Sequence, residues 1–287
     1  MNKFLIRFLY FSLICFSLIG GEKLNALVPY YYLPSTKHLK EESLSIGKSA
    51  YQLLYFRQIK DSLNLAKLAV QINKSDSQLW SILAESQLAN KLYKEALTSL
   101  KKAQEINPEI SELYFAQSDI YLRLSKIKEA KVSLTSGLKL EPKNDRGIFQ
   151  LGNIFLMEKN YESAIKEFDK AVEINPDFWQ AINNKGLAYF ELDKIDLSIV
   201  FFKKSISLEE NAEPLLALAI CLQNRNINEA ILLAKKALIK DPNYVDNNYR
   251  KEQLWGKKLQ IATDKLFKNP QLNKEIILAK TKINKTS

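Results

Sequence analysis

The residues that could do chemistry in this chain are few. His38 is the single histidine, so multi-histidine metal sites are excluded and any catalytic triad would hang on that one residue. Gly47-Lys48-Ser49 has the ending of a phosphate-binding loop, but Glu42 stands where the first glycine of G-x-x-x-x-G-K-S belongs, and no strand pattern precedes it. No H-E-x-x-H, G-x-S-x-G or C-x-x-C occurs. The carboxylates of Glu41-Glu42 and Glu209-Glu210 are sequence neighbours, which on a helix point in different directions rather than at one substrate. The expectation is a protein with no catalytic residues, no cofactor and no metal.

The elements that would position any other chemistry follow from composition. In 287 residues there are only 8 glycines and 8 prolines, too few for the turns of an all-β fold, and 46% of the chain is hydrophobic. The chain is therefore expected to be all-α. Its net charge is +10, yet only six of the 42 basic residues are arginines. Lysine serves a solvated surface, whereas arginine is the usual phosphate contact, so the charge points weakly at nucleic acid.

The N-terminus reads as an address. Lys3 and Arg7 precede an uncharged run from Phe8 to Gly21, followed by Leu24-Asn25-Ala26. That is the pattern of a secretory signal cleaved after Ala26, the run being too short to span a bilayer; an uncleaved anchor, and membrane association through it, is the alternative. Cleavage would leave Cys221 as the one cysteine, so no internal disulfide is expected. Export also argues against a nucleic-acid partner.

The strongest signal is a repeat. Pro108, Pro142 and Pro176 are 34 residues apart, and twelve residues before each lies Ala96, Ala130 or Ala164. In the same frame the fourth position holds Trp80, Tyr114, Ile148 and Ile182. Position 8 holds Ala84, Ser118, Gly152 and Gly186; position 24 holds Leu100, Leu134, Phe168 and Phe202. Small residues recur where two helices must approach closely, and large ones fill the gaps between them. The proline ends the second helix of each unit.

These residues resemble the tetratricopeptide repeat, whose helix-turn-helix unit carries W-x2-L-G-x2-Y, then A-x3-F, A and P over 34 residues. The resemblance implies a right-handed α-solenoid. A unit from Trp179 departs from it at Ser198 and Glu210, and the next, around Ala230, Ala234, Ala237 and Pro242, is two residues shorter. The expected organisation is a signal peptide or anchor at 1–26, an extended linker at 27–42, and a solenoid of about five units at 43–244, the first degenerate. A capping helix and a lysine-rich tail follow at 245–287. Trp255, Leu259, Ala262 and Leu266 form the apolar stripe of that cap, which would cover the end of the last repeat.

Members of this family bind extended peptides along the face lined by the first helix of each unit. The resemblance carries that groove onto Phe115, Asp119, Arg146, Phe149, Gln150, Asn153, Gln180, Asn183, Asn184 and Leu187. Asparagine and glutamine offer both a donor and an acceptor to a peptide backbone, and Phe115 and Phe149 could supply apolar pockets. The alternative is that these are solvated faces of amphipathic helices. The dicarboxylate clamp of chaperone-binding members is absent, because Phe149 stands where its lysine would be.

With its export pattern and the segment Lys251 to Gly256, the chain resembles exported cyanobacterial members, which implies a thylakoid lumen or periplasm. The expected role is a non-enzymatic scaffold holding a protein or peptide partner, in assembly of a membrane or photosynthetic complex. A lysine-faced peripheral membrane or envelope structural protein, and an accessory subunit of an enzyme, are the alternatives.

Overall fold

The computed structural model describes residues 34–286. The expected signal at 1–26 and the first part of the linker expected at 27–42 lie outside the described residues. The chain divides into Met1–Glu41 and Glu42–Ser287. Among the described residues there are fifteen α-helices and no strand, and no helix is long and apolar enough to cross a membrane.

Twelve of the helices form six consecutive pairs: α1 (Thr36–Tyr55) with α2 (Ile59–Ile72), α3 (Ser77–Ala89) with α4 (Tyr93–Ile106), α5 (Ser111–Arg123) with α6 (Ile127–Leu140), α7 (Asp145–Met157) with α8 (Tyr161–Ile174), α9 (Trp179–Glu191) with α10 (Ile195–Leu208), and α11 (Ala212–Leu222) with α12 (Ile227–Lys240). That is one pair more than the count of about five. Helix α1 also starts inside the stretch 27–42 expected to be extended, because Pro34 lies just ahead of a cap rather than within an extended segment. The Ser35 hydroxyl accepts from the His38 N–H at 3.2 Å, satisfying an orphan donor of the first turn.

The turn inside each of the first five pairs explains how so regular a fold manages with so little glycine. Arg57, Lys91, Ser125, Lys159 and Asp193, spaced 34 apart, all have φ between 57° and 61°. At each, the next residue's N–H reaches back five residues and its own N–H three, as in Asn160 to Phe155 O at 2.8 Å and Lys159 to Leu156 O at 2.9 Å. This is the Schellman closure, built on side chains that the left-handed region disfavours. Between pairs, Asn107, Glu141, Asn175 and Asp241 are helix C-caps held extended or nearly so, and each precedes a proline that forbids further helix.

Packing within the pairs follows the small-and-large pattern. Position 20 is completely buried in every pair: Ser62, Ala96, Ala130, Ala164, Ser198 and Ala230. Ser198 and Ser62 thus occupy the alanine site, with their hydroxyls bonded to Lys194 O and Ser86 Oγ. At positions 8 and 24 the residues compensate. Where the later residue is Phe202 its ring lies against Gly186, so close that a Cβ there would sit 2.6 Å from Cε1. Gly152 and Phe168 repeat the arrangement, whereas the leucines Leu100 and Leu134 are matched by Ala84 and Ser118.

The C-terminal region differs from the single capping helix expected. Leu254, at φ 64°, and Gly256 break it into α13 (Asn247–Glu252) and α14 (Lys257–Leu266), preceded by a 3-10 turn at Pro242–Val245. A second 3-10 turn at Pro270–Leu272 leads into α15 (Asn273–Thr286). Helix α15 packs on α12, but α14 packs on α9 and α11, the first helices of the last two pairs. Glu191 fixes α14 by accepting the Leu259 N–H at 2.9 Å and the Lys258 N–H at 3.3 Å, a carboxylate at a helix N-terminus. Its side chain lies where any Cβ at Gly256 would be.

Arg250 is the hub of this region and only 1% exposed. Its guanidinium donates to Tyr244 O (2.8 Å), Val245 O (3.1 Å), Gln260 Oε1 (3.1 Å) and Asp264 Oδ1 (2.9 Å), and lies over the Phe267 ring. A buried arginine is tolerable only with such complete pairing.

Candidate functional site

The first helices α5, α7, α9 and α11 are joined side by side through polar side chains one unit apart. Gln150 Nε2 donates to Asp119 Oδ1 at 2.6 Å, and one unit on, Asn184 Nδ2 donates to Asn153 Oδ1 at 2.8 Å. Asn183 Nδ2 donates to Asn184 Oδ1 (3.1 Å) and to Glu213 Oε2 (2.9 Å), and Trp255 Nε1 donates to the other Glu213 oxygen at 2.8 Å. The ladder therefore runs from α5 to the C-terminal segment. Asn183 Oδ1 is buried without a partner in it.

This geometry sorts the residues expected in the groove. Asn183 and Leu187 are buried, at 0% and 2% exposure, and do not face a partner. Leu187 belongs to one core cluster with Trp255 and Leu259, because the C-terminal segment folds over a position that is open in a bare solenoid. Phe115 is a packing ring rather than an open pocket: it lies against Gly137 and Gly147 and wedges between α6 and α7. Asp119, half-buried, is committed to Gln150. Burial raises its carboxyl above the ordinary value, partly offset by the Gln150 hydrogen bond and by Arg123. Arg146 is exposed and outside the cleft described next.

Phe149, Gln150, Asn153, Gln180 and Asn184 do come together, along one side of a cleft of ≈ 560 Å³. Phe149 is held in place by Phe178 and Phe168, at ring distances of 4.9 and 5.8 Å. Gln180 makes no side-chain hydrogen bond among the described residues and is free to engage a ligand.

The opposite side was missed in the sequence. It includes Asp241, Tyr244, Tyr249, Glu252 and Leu254, and Trp179, Asn211 and Glu213 also line the cleft. Tyr249 Oη donates to Asp241 Oδ2 at 2.9 Å and its ring meets Tyr244 edge-on at 5.1 Å. The C-terminal segment is thus a wall of the site as well as a cap. Glu213 was invisible because the shortened α11 shifts the frame, and burial there pushes its carboxyl up to about 7 despite the Trp255 and Asn183 hydrogen bonds. Tyr249 is raised to about 12, chiefly by burial and by its bond to Asp241.

The site offers hydrogen bonds, aromatic faces and carboxylates, and no nucleophile. Cys221 is buried and its thiol is pushed up to about 12, so it is not a thiolate at neutral pH. Among the described residues no group of three or more His, Cys, Asp or Glu could hold a metal ion.

Comparison with known proteins agrees with this architecture. Family models for the TPR repeat and the tetratricopeptide repeat match residues 152–193 and residues 77–110, 111–144 and 180–211. A tetratricopeptide repeat protein from Parabacteroides merdae superposes with a TM-score of 0.64 at 15% identity, covering 83% of this chain and 99% of the other. PilF of Pseudomonas aeruginosa gives 0.61 at 16% identity, over 75% and 98% of the two chains. YrrB, a TPR protein with an unusual peptide-binding site, gives 0.52 at 19% identity, over 61% and 93%. No curated protein matches the chain in sequence. The 34-residue frame, the helical pairs and these matches together establish that the chain carries tetratricopeptide repeats, folded as a helical solenoid.

Proposed function

We propose that this protein is a non-enzymatic scaffold that holds an extended segment of a partner protein in the cleft between α7, α9 and α11 and the C-terminal wall. The observation that carries the reading is the cleft itself. It sets the aromatic Phe149 and Trp179 beside an amide, Gln180, whose donors and acceptor are unspent. Such a surface suits a chain with alternating backbone and side-chain needs, and a concave site of this size is the usual form of a binding site.

Photo-crosslinking from position 180, with position 132 on exposed Val132 as control, tests it in the native host. One recurrent protein segment attached at 180 and absent at 132 supports the proposal. Lipid adducts, or the same adducts at both positions, would refute it.

We further propose export to a thylakoid lumen or periplasm, on the strength of Lys3, Arg7 and the uncharged run after them. An assembly role in a membrane or photosynthetic complex is the use such a compartment would give the scaffold. Immunodetection in isolated compartments checks the location.

A further inference from the structure

The cleft is acidic in a basic protein. The chain has 42 lysines and arginines against 32 acids, yet no lysine or arginine among the described residues lines the cleft, whereas Glu213, Asp241 and Glu252 do. Some acids elsewhere on the surface are neutralised by cations, as Asp169 is by Lys185, Asp196 by Arg225, and Glu210 by Lys236 and Lys240. None of the three cleft carboxylates has an ion pair among the described residues. Glu213 and Asp241 are satisfied by neutral donors, Asn183 and Trp255 for the one and Tyr249 for the other. For Asp241 that neutral donor holds the carboxylate in place and leaves its charge uncancelled, and Glu252 is exposed with no partner among the described residues; Glu213, raised by burial to about 7, is only partly ionised at neutral pH.

The aromatic side chains add a second observation of the same sign. Trp179, Tyr244 and Tyr249 line the cleft with the carboxylates. The faces of such rings attract cations, more strongly as water is excluded. Carboxylates with no cationic partner, interleaved with aromatic rings in a concave site, are complementary to a positively charged side chain and repel an anionic one.

We propose that the partner segment presents a lysine or arginine side chain to this cleft, held between the Asp241 and Glu252 carboxylates and the rings of Trp179 and Tyr249. The inference rests on the peptide-binding reading above and adds the class of segment bound. Net charge gives it a built-in control. The molecule as a whole repels cationic peptides, so a preference for them can arise only from a local field of opposite sign.

The test uses the full chain and fluorescent nonapeptide pools, with the central residue fixed as Lys, Arg, Gln or Glu and the others randomised, read by anisotropy. The lysine and arginine pools are expected to bind at least ~10-fold more tightly than the glutamate pool. Glu252→Lys, at an exposed position with no hydrogen bond or ion pair to lose, is expected to erase most of that difference while leaving the circular dichroism unchanged. Equal binding of all pools, or preference for the glutamate pool, would overturn the cationic assignment and leave the peptide site standing. A cationic preference untouched by Glu252→Lys would place the preference elsewhere and overturn it too. Binding of no pool would overturn both readings.

Discussion

Gly186 and Phe202 give the most demanding test of how the repeats pack. An alanine Cβ at 186 would lie 2.6, 2.8 and 3.1 Å from Cε1, Cδ1 and Cζ of Phe202. That ring is completely buried, in a cluster with Leu187, Phe190 and Leu215, and has no open space to swing into. Overpacking of this kind costs about 1–3 kcal/mol, against which alanine gains about 1 kcal/mol of helix propensity over glycine. The net expectation for Gly186→Ala is a loss of about 0–2 kcal/mol. Phe202→Leu alone leaves a partial void and loses about 1–2 kcal/mol. Together the two substitutions recreate the pairing that Ala84 and Leu100 already provide in α3 and α4. The double variant is therefore expected to be no less stable than either single one, with a coupling of about 1–2 kcal/mol. Urea unfolding followed by circular dichroism, compared at constant m-value, measures it. Costs that add to within about 0.5 kcal/mol would show that the compensation between positions 8 and 24 is coincidental.

Three further outcomes are expected. Lys159→Gly relieves a left-handed backbone that only glycine adopts freely and should stabilise the protein by ~0.5–1 kcal/mol, seen as a raised urea midpoint. Glu213 holds its proton more tightly folded than unfolded, so its contribution is fully present below about pH 4.5 and is lost as pH rises through about 7. Unfolding free energies measured from pH 5 to 8.5 should thus fall relative to Glu213→Gln, by up to about 3 kcal/mol, and parallel curves would contradict the burial of that carboxyl. Arg250→Ala strips four hydrogen-bond partners of their donor and should cost ~3–5 kcal/mol. Hydrogen exchange should show the loss across residues 241–266, with α3 to α6 still protected.

The fold was legible because its constraints are local and repeat. Alanine at position 20 and proline past the second helix mark where helices cross and stop, and each unit restates them. The five left-handed turns were not legible, because arginine, lysine, serine and aspartate carry no mark of a positive φ; only the exact period exposes them. The residues expected in the groove are divided by the structure. Phe149, Gln150, Asn153, Gln180 and Asn184 share the cleft, whereas Asn183 and Leu187 were lost to the C-terminal segment and Phe115 to the gap beside Gly137 and Gly147. The frame says which residues face inward on a bare solenoid and says nothing of what non-repeating chain lies on top. Trp255 and Gly256 were visible as a distinctive pair, but their partners Glu213 and Glu191 lie 42 and more than 60 residues away, beyond any spacing rule.

That separation has a consequence for the order of biogenesis. The bridges between units join residues about 30 apart, such as Asn184 to Asn153, while Glu191 reaches Lys258 and Leu259 across 67 and 68. Repeats with short-range contacts can form as soon as their neighbours emerge from the ribosome. The far wall of the cleft must wait until residues 241–259 have been translated and have closed a much longer loop. In a nascent chain that had reached only residue 240 the cleft would lack this wall, so the cleft is completed last, after the units that line its other side are already in place.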